Sequence, residues 1–235
     1  MALISGLRSG SGIIERLRRA ITRPKHGDRK IFGIGLTKTG TTTLGVCLAA
    51  LGFRHLSCRR DLLVAYREGR LDEVFAAIDG HDSFEDWPYP LMYRELFERY
   101  GDRAQFVLTS RATPDLWLDS LKAHDLETDP EIHCRLLAYG FKNPRGAEGE
   151  HLAFYRHHYE AVEDFFERRS ASDRLLKVCW ETGDDWEELC DFLDLPIPSI
   201  PFPYAGGRID PPSAAEREEP DAIERPMARL VRSTA

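Results

Sequence analysis

Residues 35 to 43 read Gly-Leu-Thr-Lys-Thr-Gly-Thr-Thr-Thr, with Lys38 set among threonines at 37, 39, 41, 42 and 43 and bounded by Gly35 and Gly40. Such a set is suited to holding an anion. The ammonium supplies charge, the hydroxyls supply donors, and the glycines let backbone N–H groups come close. The flanking residues would position it. The apolar run Ile31-Phe32-Gly33-Ile34 reads as a strand, and Leu44, Cys47, Leu48 and Leu51 recur at helical spacing. A strand, a tight loop and a helix aim N–H groups and a positive helix end at one point. The plain alternative is a Gly/Thr-rich turn in which the threonines serve only as helix caps.

The kind of anion can be narrowed. Gly35 and Gly40 meet the G-x-x-x-x-G half of a Walker A loop, but Thr41-Thr42 stand where that motif needs Lys-Ser/Thr. The lysine lies inside the loop instead, at 38. The run Lys38-Thr39-Gly40-Thr41-Thr42 resembles the 5′-phosphosulfate loop of the sulfotransferase family, usually Lys or Arg, then Ser or Thr, then Gly-Thr-Thr. This resemblance implies that the donor is 3′-phosphoadenosine 5′-phosphosulfate (PAPS). It places Thr37, Lys38, Thr39, Gly40, Thr41, Thr42 and Thr43 around the donor, with Lys38 neutralising charge on the breaking bond and no metal required.

Other stretches fit the same resemblance. Strand-like residues 104–110 end at Ser110-Arg111, with Ser120 further on. An Arg at a strand end followed by a Ser on the next helix resembles the family's 3′-phosphate motif, although the pair here is nine residues apart where eight is usual. Arg111 paired with Asp115 at a helix start is the structural alternative. Phe84-Glu85-Asp86-Trp87-Pro88 lies where cytosolic sulfotransferases carry His-Leu-Pro. Asp86 would then take the acceptor's proton, with Phe84, Trp87, Pro88 and Glu85 raising its pKa; capping the next helix is the equal alternative. Asp-x-Pro, the loop, Tyr155-x-x-His158 and Phe202-Pro203 together resemble a branch of small bacterial and animal members. That branch ends Phe-Pro-His-x-Asn where this chain has Tyr204 and Gly206. Trp180, in Trp-Glu-Thr where cytosolic members have Tyr-Glu-Asp, is either a purine platform or a core residue. His55 and His81 are the reserve candidates for the base. The histidines form no metal cluster, and the adjacent His157 and His158 point in different directions on a helix.

Around these residues the chain alternates strands and helices, which predicts a three-layer α/β fold of P-loop type: a mainly parallel central sheet with helices on both faces. Strands are expected over 52–57, 81–86, 104–110 and 174–180, and helices over 60–78, 91–100, 150–169 and 186–193. Pro114 suits a first helical turn with Thr113 as its cap. Segments 58–80 and 121–150 are expected to line an acceptor pocket. The 235 residues divide into a basic N-terminal extension (1–29), a sulfotransferase-like domain (30–204) and a charged tail (205–235).

The net charge of −7 argues against a nucleic-acid partner, although residues 1–30 carry +6 and leave −13 for the rest. Residues 12–21 are read as a surface helix packed on the domain. Membrane contact through residues 12–30 is the weaker alternative. Five cysteines without a C-x-x-C pair fit no disulfide framework or zinc site, and point to the cytoplasm. The activity expected is sulfuryl transfer from PAPS to a hydroxyl or amine of a small molecule. The rivals are a P-loop kinase or NTPase with a degenerate loop, and a non-catalytic scaffold.

Overall fold

A computed structural model describes residues 28–129 and 134–205. The expected N-terminal surface helix and all but the first residue of the charged tail lie outside them. The sheet has five strands: β1 (Lys30–Gly33), β2 (His55–Leu56), β3 (Ser83–Phe84), β4 (Ala104–Thr109) and β5 (Leu175–Val178). Every pairing is parallel and the spatial order is β2-β3-β1-β4-β5. The chain leaves β1 for one side of the sheet, then crosses to the other for β4. Beyond the carboxyl end of β1 lies the switch point where parallel sheets open a crevice.

Side chains of successive strand residues face opposite sides, so each strand feeds two cores. Phe32, Phe106 and Leu108 join one cluster; Ile31 and Val107 join the other. The first cluster is roofed by α2 (Arg60–Arg67), α3 (Leu71–Asp79), α4 (Tyr93–Tyr100), α5 (Pro114–Asp125), α6 (Arg135–Tyr139) and α7 (Glu148–Arg168). The second is covered by α1 (Thr41–Ala50) and α8 (Trp186–Leu193). Three layers follow, as the alternating pattern predicts.

Several boundaries differ from the sequence reading. The strand expected over 52–57 shrinks to two residues, because only His55 and Leu56 pair with β3. The helix expected over 91–100 starts at Tyr93 after a 3₁₀ turn at Tyr89–Leu91, where Pro90 cannot donate to a regular ladder. The 60–78 stretch, which the sequence reads as one or two short helices, forms two, broken at Gly69, whose φ is +75°. Thr113 does cap α5, accepting from the Leu116 N–H at 3.2 Å.

Candidate active site

The 35–43 stretch leaves β1 and enters α1 with its glycines fixed by their neighbours. A Cβ on Gly35 would lie 2.0 Å from Thr109 Oγ1 at the end of β4. Gly40 has φ +88°, and a Cβ there would meet the Trp180 ring at 2.3 Å. Neither position accepts a larger residue without moving a strand end or an indole. Lys38, at the crest, also has positive φ, +73°.

The loop is tied from behind. Trp117 Nε1 donates to the Thr37 carbonyl at 2.9 Å, and Trp180 Nε1 donates to the Gly40 carbonyl at 3.1 Å. Thr39, 1% exposed, donates to the Leu36 carbonyl and touches Thr109 Oγ1 at 2.7 Å. The Thr39 N–H also bonds Leu36, at 3.2 Å. Thr43 is buried and exchanges hydrogen bonds with the backbone of Ala205. The Tyr-x-x-His pattern sits one layer below. His158 Nε2 is 2.8 Å from the Ile34 carbonyl, and Tyr159 donates to the Thr109 carbonyl at 2.6 Å. Burial holds His158 down at about 4, so it is a neutral donor that braces the end of β1.

What remains of the loop opens onto a cleft of about 480 Å³. One side is formed by Thr37, Lys38, Gly40, Thr41 and Thr42, with Asp86 and Ala205. The other is formed by Arg111 and by the α5 residues Leu116, Asp119, Ser120, Ala123, His124 and, just past the helix, Glu127. Asp86 lies two residues past β3 in the left-handed region, φ +64°. Its Oδ1 accepts from Thr37 Oγ1 at 2.6 Å and from the Trp87 N–H at 2.9 Å. Burial, and secondly the buried Glu85 beside it, push Asp86 up to about 7; those two hydrogen bonds and Lys38 oppose the rise. Thr37 thus joins the loop to the carboxylate directly.

At the far end, Arg111 follows β4 by two residues, and its Nη2 is paired with Glu181 Oε1. Glu181 is itself held by the Ala112 N–H at 2.8 Å. The Arg111 Nε is buried and has no hydrogen-bond partner. A buried guanidinium N–H without an acceptor favours occupation of the site by an oxyanion. The carboxylate that pairs with Arg111 is Glu181, not the Asp115 of the structural alternative.

The structure therefore brings Thr37, Lys38, Gly40, Thr41, Thr42, Asp86, Arg111 and Ser120 together. Thr39 and Thr43 sit behind the loop. Trp180 is also behind it: its ring is 2% exposed, under Gly40 and against Phe202, and it takes the core alternative rather than the purine platform. His55 faces Ser83 and Glu85, and His81 bonds the Ala77 carbonyl, so neither reaches the cleft. No residue of 58–80 lines it. The sequence reading missed Asp119, His124 and Glu127 as individual residues. Their spacing with Leu116, Ser120 and Ala123 marks one helix face and was the available signal. Among the described residues no group of His, Cys, Asp or Glu is arranged to hold a metal, and no helix is long and apolar enough to cross a membrane.

The fold is a three-layer α/β fold with a cleft beyond the carboxyl ends of its parallel strands, and comparison with known sequences gives the family. Residues 30–208 match the sulfotransferase domain, and the chain belongs to that family. A relative from Aspergillus versicolor, named Ava biosynthesis cluster protein M, is 27% identical over 216 residues, which cover 74% of this chain and 80% of that protein.

Proposed function

We propose that this protein transfers the sulfuryl group of PAPS to a hydroxyl or amine of a small molecule. The observation that carries the reading is the convergence of Lys38, Asp86 and Arg111 on one cleft beyond the carboxyl ends of the strands. Thr41, Thr42 and the start of α1 would hold the 5′-phosphosulfate. Arg111, through its unpartnered Nε, and Ser120 would take the 3′-phosphate. The adenine would lie away from the buried Trp180. Lys38 would neutralise the bridging oxygen as the S–O bond breaks, in the way charge is stabilised in phosphoryl transfer.

Asp86 would accept the acceptor's proton. A carboxyl near 7 divides between acid and base at neutral pH, a far better base than an ordinary Asp near 3.8. Thr37 would orient it, so that the loop gripping the donor also aims the base. The printed name of the Aspergillus relative, from a biosynthesis cluster, is in keeping with a small-molecule acceptor.

Calorimetry with 3′-phosphoadenosine 5′-phosphate and adenosine 5′-phosphate tests the donor. Binding of the first should be at least tenfold tighter, about the worth of one charge-assisted contact. Equal affinities would remove Arg111 from the phosphate site. A thermal shift produced by ATP or GTP alone would favour the kinase or NTPase reading instead.

A further inference from the structure

Cys58 and Cys134, 76 positions apart in sequence, bring their sulfur atoms to 3.9 Å. Cys58 is exposed, on the segment between β2 and α2; Cys134 is buried at the start of α6. The other three cysteines, 47, 179 and 190, are all buried. We propose that Cys58 and Cys134 are a redox-active thiol pair that closes to an intramolecular disulfide on reaction with a low-molecular-weight disulfide such as oxidised glutathione.

Three features carry this. The sulfurs are already in contact, and closing to a bond of about 2 Å requires a shift of roughly 2 Å along their line. The two segments are packed together by other contacts, since Arg67 of α2 donates to the carbonyls of Leu137 and Ala138 in α6 at 2.7 and 3.0 Å. One thiol is open to an external reagent while the second is held behind it, the arrangement of an attacking and a resolving cysteine. The thiols also share a hydrogen bond that favours the thiolate on Cys134 and pushes the Cys58 thiol up, so the first proton leaves the pair from Cys134.

The chemistry balances without a metal. The Cys58 sulfur bonds to one sulfur of the glutathione disulfide as its proton passes across the shared hydrogen bond to the Cys134 thiolate, and the other sulfur leaves as glutathione, protonated from solvent. The Cys134 thiolate, re-formed by loss of that proton to solvent, then attacks the Cys58 sulfur and expels the second glutathione. The protein loses two hydrogens and two thiols are released. The link would fasten α6 to the segment whose Arg59 N–H bonds the Trp87 carbonyl, beside the Asp86 turn. Tyr139 of α6 packs edge-on against Trp87 at 5.3 Å.

The test is titration of the full chain with mixtures of reduced and oxidised glutathione, quenched by alkylation and read by intact mass and peptide mapping. The expected result is one disulfide per chain, between Cys58 and Cys134. Cys134→Ser should stop at a persistent mixed disulfide on Cys58, and Cys58→Ser should react at least about tenfold more slowly. Should Cys134→Ser lose its circular-dichroism signature, Cys134→Ala gives the same readout. A link through Cys47, Cys179 or Cys190, no link in excess oxidised glutathione, or no mixed disulfide in a folded Cys134 variant would overturn the proposal.

Discussion

The loop from Thr37 to Thr42 and the face of α5 line the same cleft, but they are held by different means. The loop is bounded by two strand ends, bonded by two buried indoles and braced by His158 and Tyr159 from below. Its backbone has little freedom, and Lys38 and Asp86 both occupy left-handed conformations that the surroundings must enforce. The α5 face is the outer side of a helix whose inner side packs Trp117, Leu118 and Leu121 into the core. Asp119 and Ala123 project from it, and Glu127 from just past its end, with much of their surface in solvent. Chemistry common to all substrates of such an enzyme belongs on the rigid side. Selection among substrates belongs on the side that can change residue by residue without disturbing the fold.

The largest effect expected on this contrast comes from Lys38→Ala, which should lower turnover about a hundredfold or more while donor affinity falls less. Single-turnover kinetics would check it; a variant that turns over normally would make Lys38 structural. Asp86→Asn should also remove most transfer, by about a hundredfold. In the wild type, transfer should rise as pH is raised through about 7, because the base must lose its proton. Stability carries the opposite sign. A carboxyl with folded pKa raised from 3.8 to about 7 binds a proton more tightly when folded, so stability falls as pH rises across that window. The Asn variant lacks this loss, and its melting temperature relative to wild type should be higher at pH 8 than at pH 4.

A smaller effect tests the link between loop and base. Thr37→Val removes the 2.6 Å bond to Asp86. Turnover should drop about tenfold, and the pH midpoint should move upward, since the lost bond favours the carboxylate. An unmoved midpoint would separate the loop from the base. The smallest effect belongs to the far wall: Glu127→Gln should change acceptor KM only a few-fold, leaving donor affinity unaltered in calorimetry. If it weakened the donor as much as Lys38→Ala, the division of labour between the walls would collapse.

The same contrast explains what the sequence disclosed. Gly35, Lys38, Gly40 and the threonines are consecutive, and their types follow from local backbone demands, so the loop was readable. Arg111 was readable because an apolar strand ends two residues before it. The long helices were legible from periodicity, whereas β2 and β3 were blurred because two-residue strands carry too little pattern. The partners that matter most across the sheet are not local. Glu181 lies 70 positions from Arg111, Thr37 lies 49 from Asp86, and Cys58 lies 76 from Cys134. Trp180 was ambiguous for the same reason: an indole beside a nucleotide and an indole beneath the loop that holds it have the same sequence signature. Its burial under Gly40 separates the two.

The indoles that pin the loop have an optical consequence. The chain has four tryptophans, and Trp117 and Trp180 bond the loop's own carbonyls while Trp87 follows Asp86 directly. Trp186 bonds the Ile200 carbonyl in the extended segment that leads to Ala205 at the cleft. Intrinsic fluorescence is therefore concentrated around the place where a donor would settle. Any displacement of the loop changes the hydrogen bonds of two buried indoles at once, so the protein carries its own unlabelled gauge of occupancy.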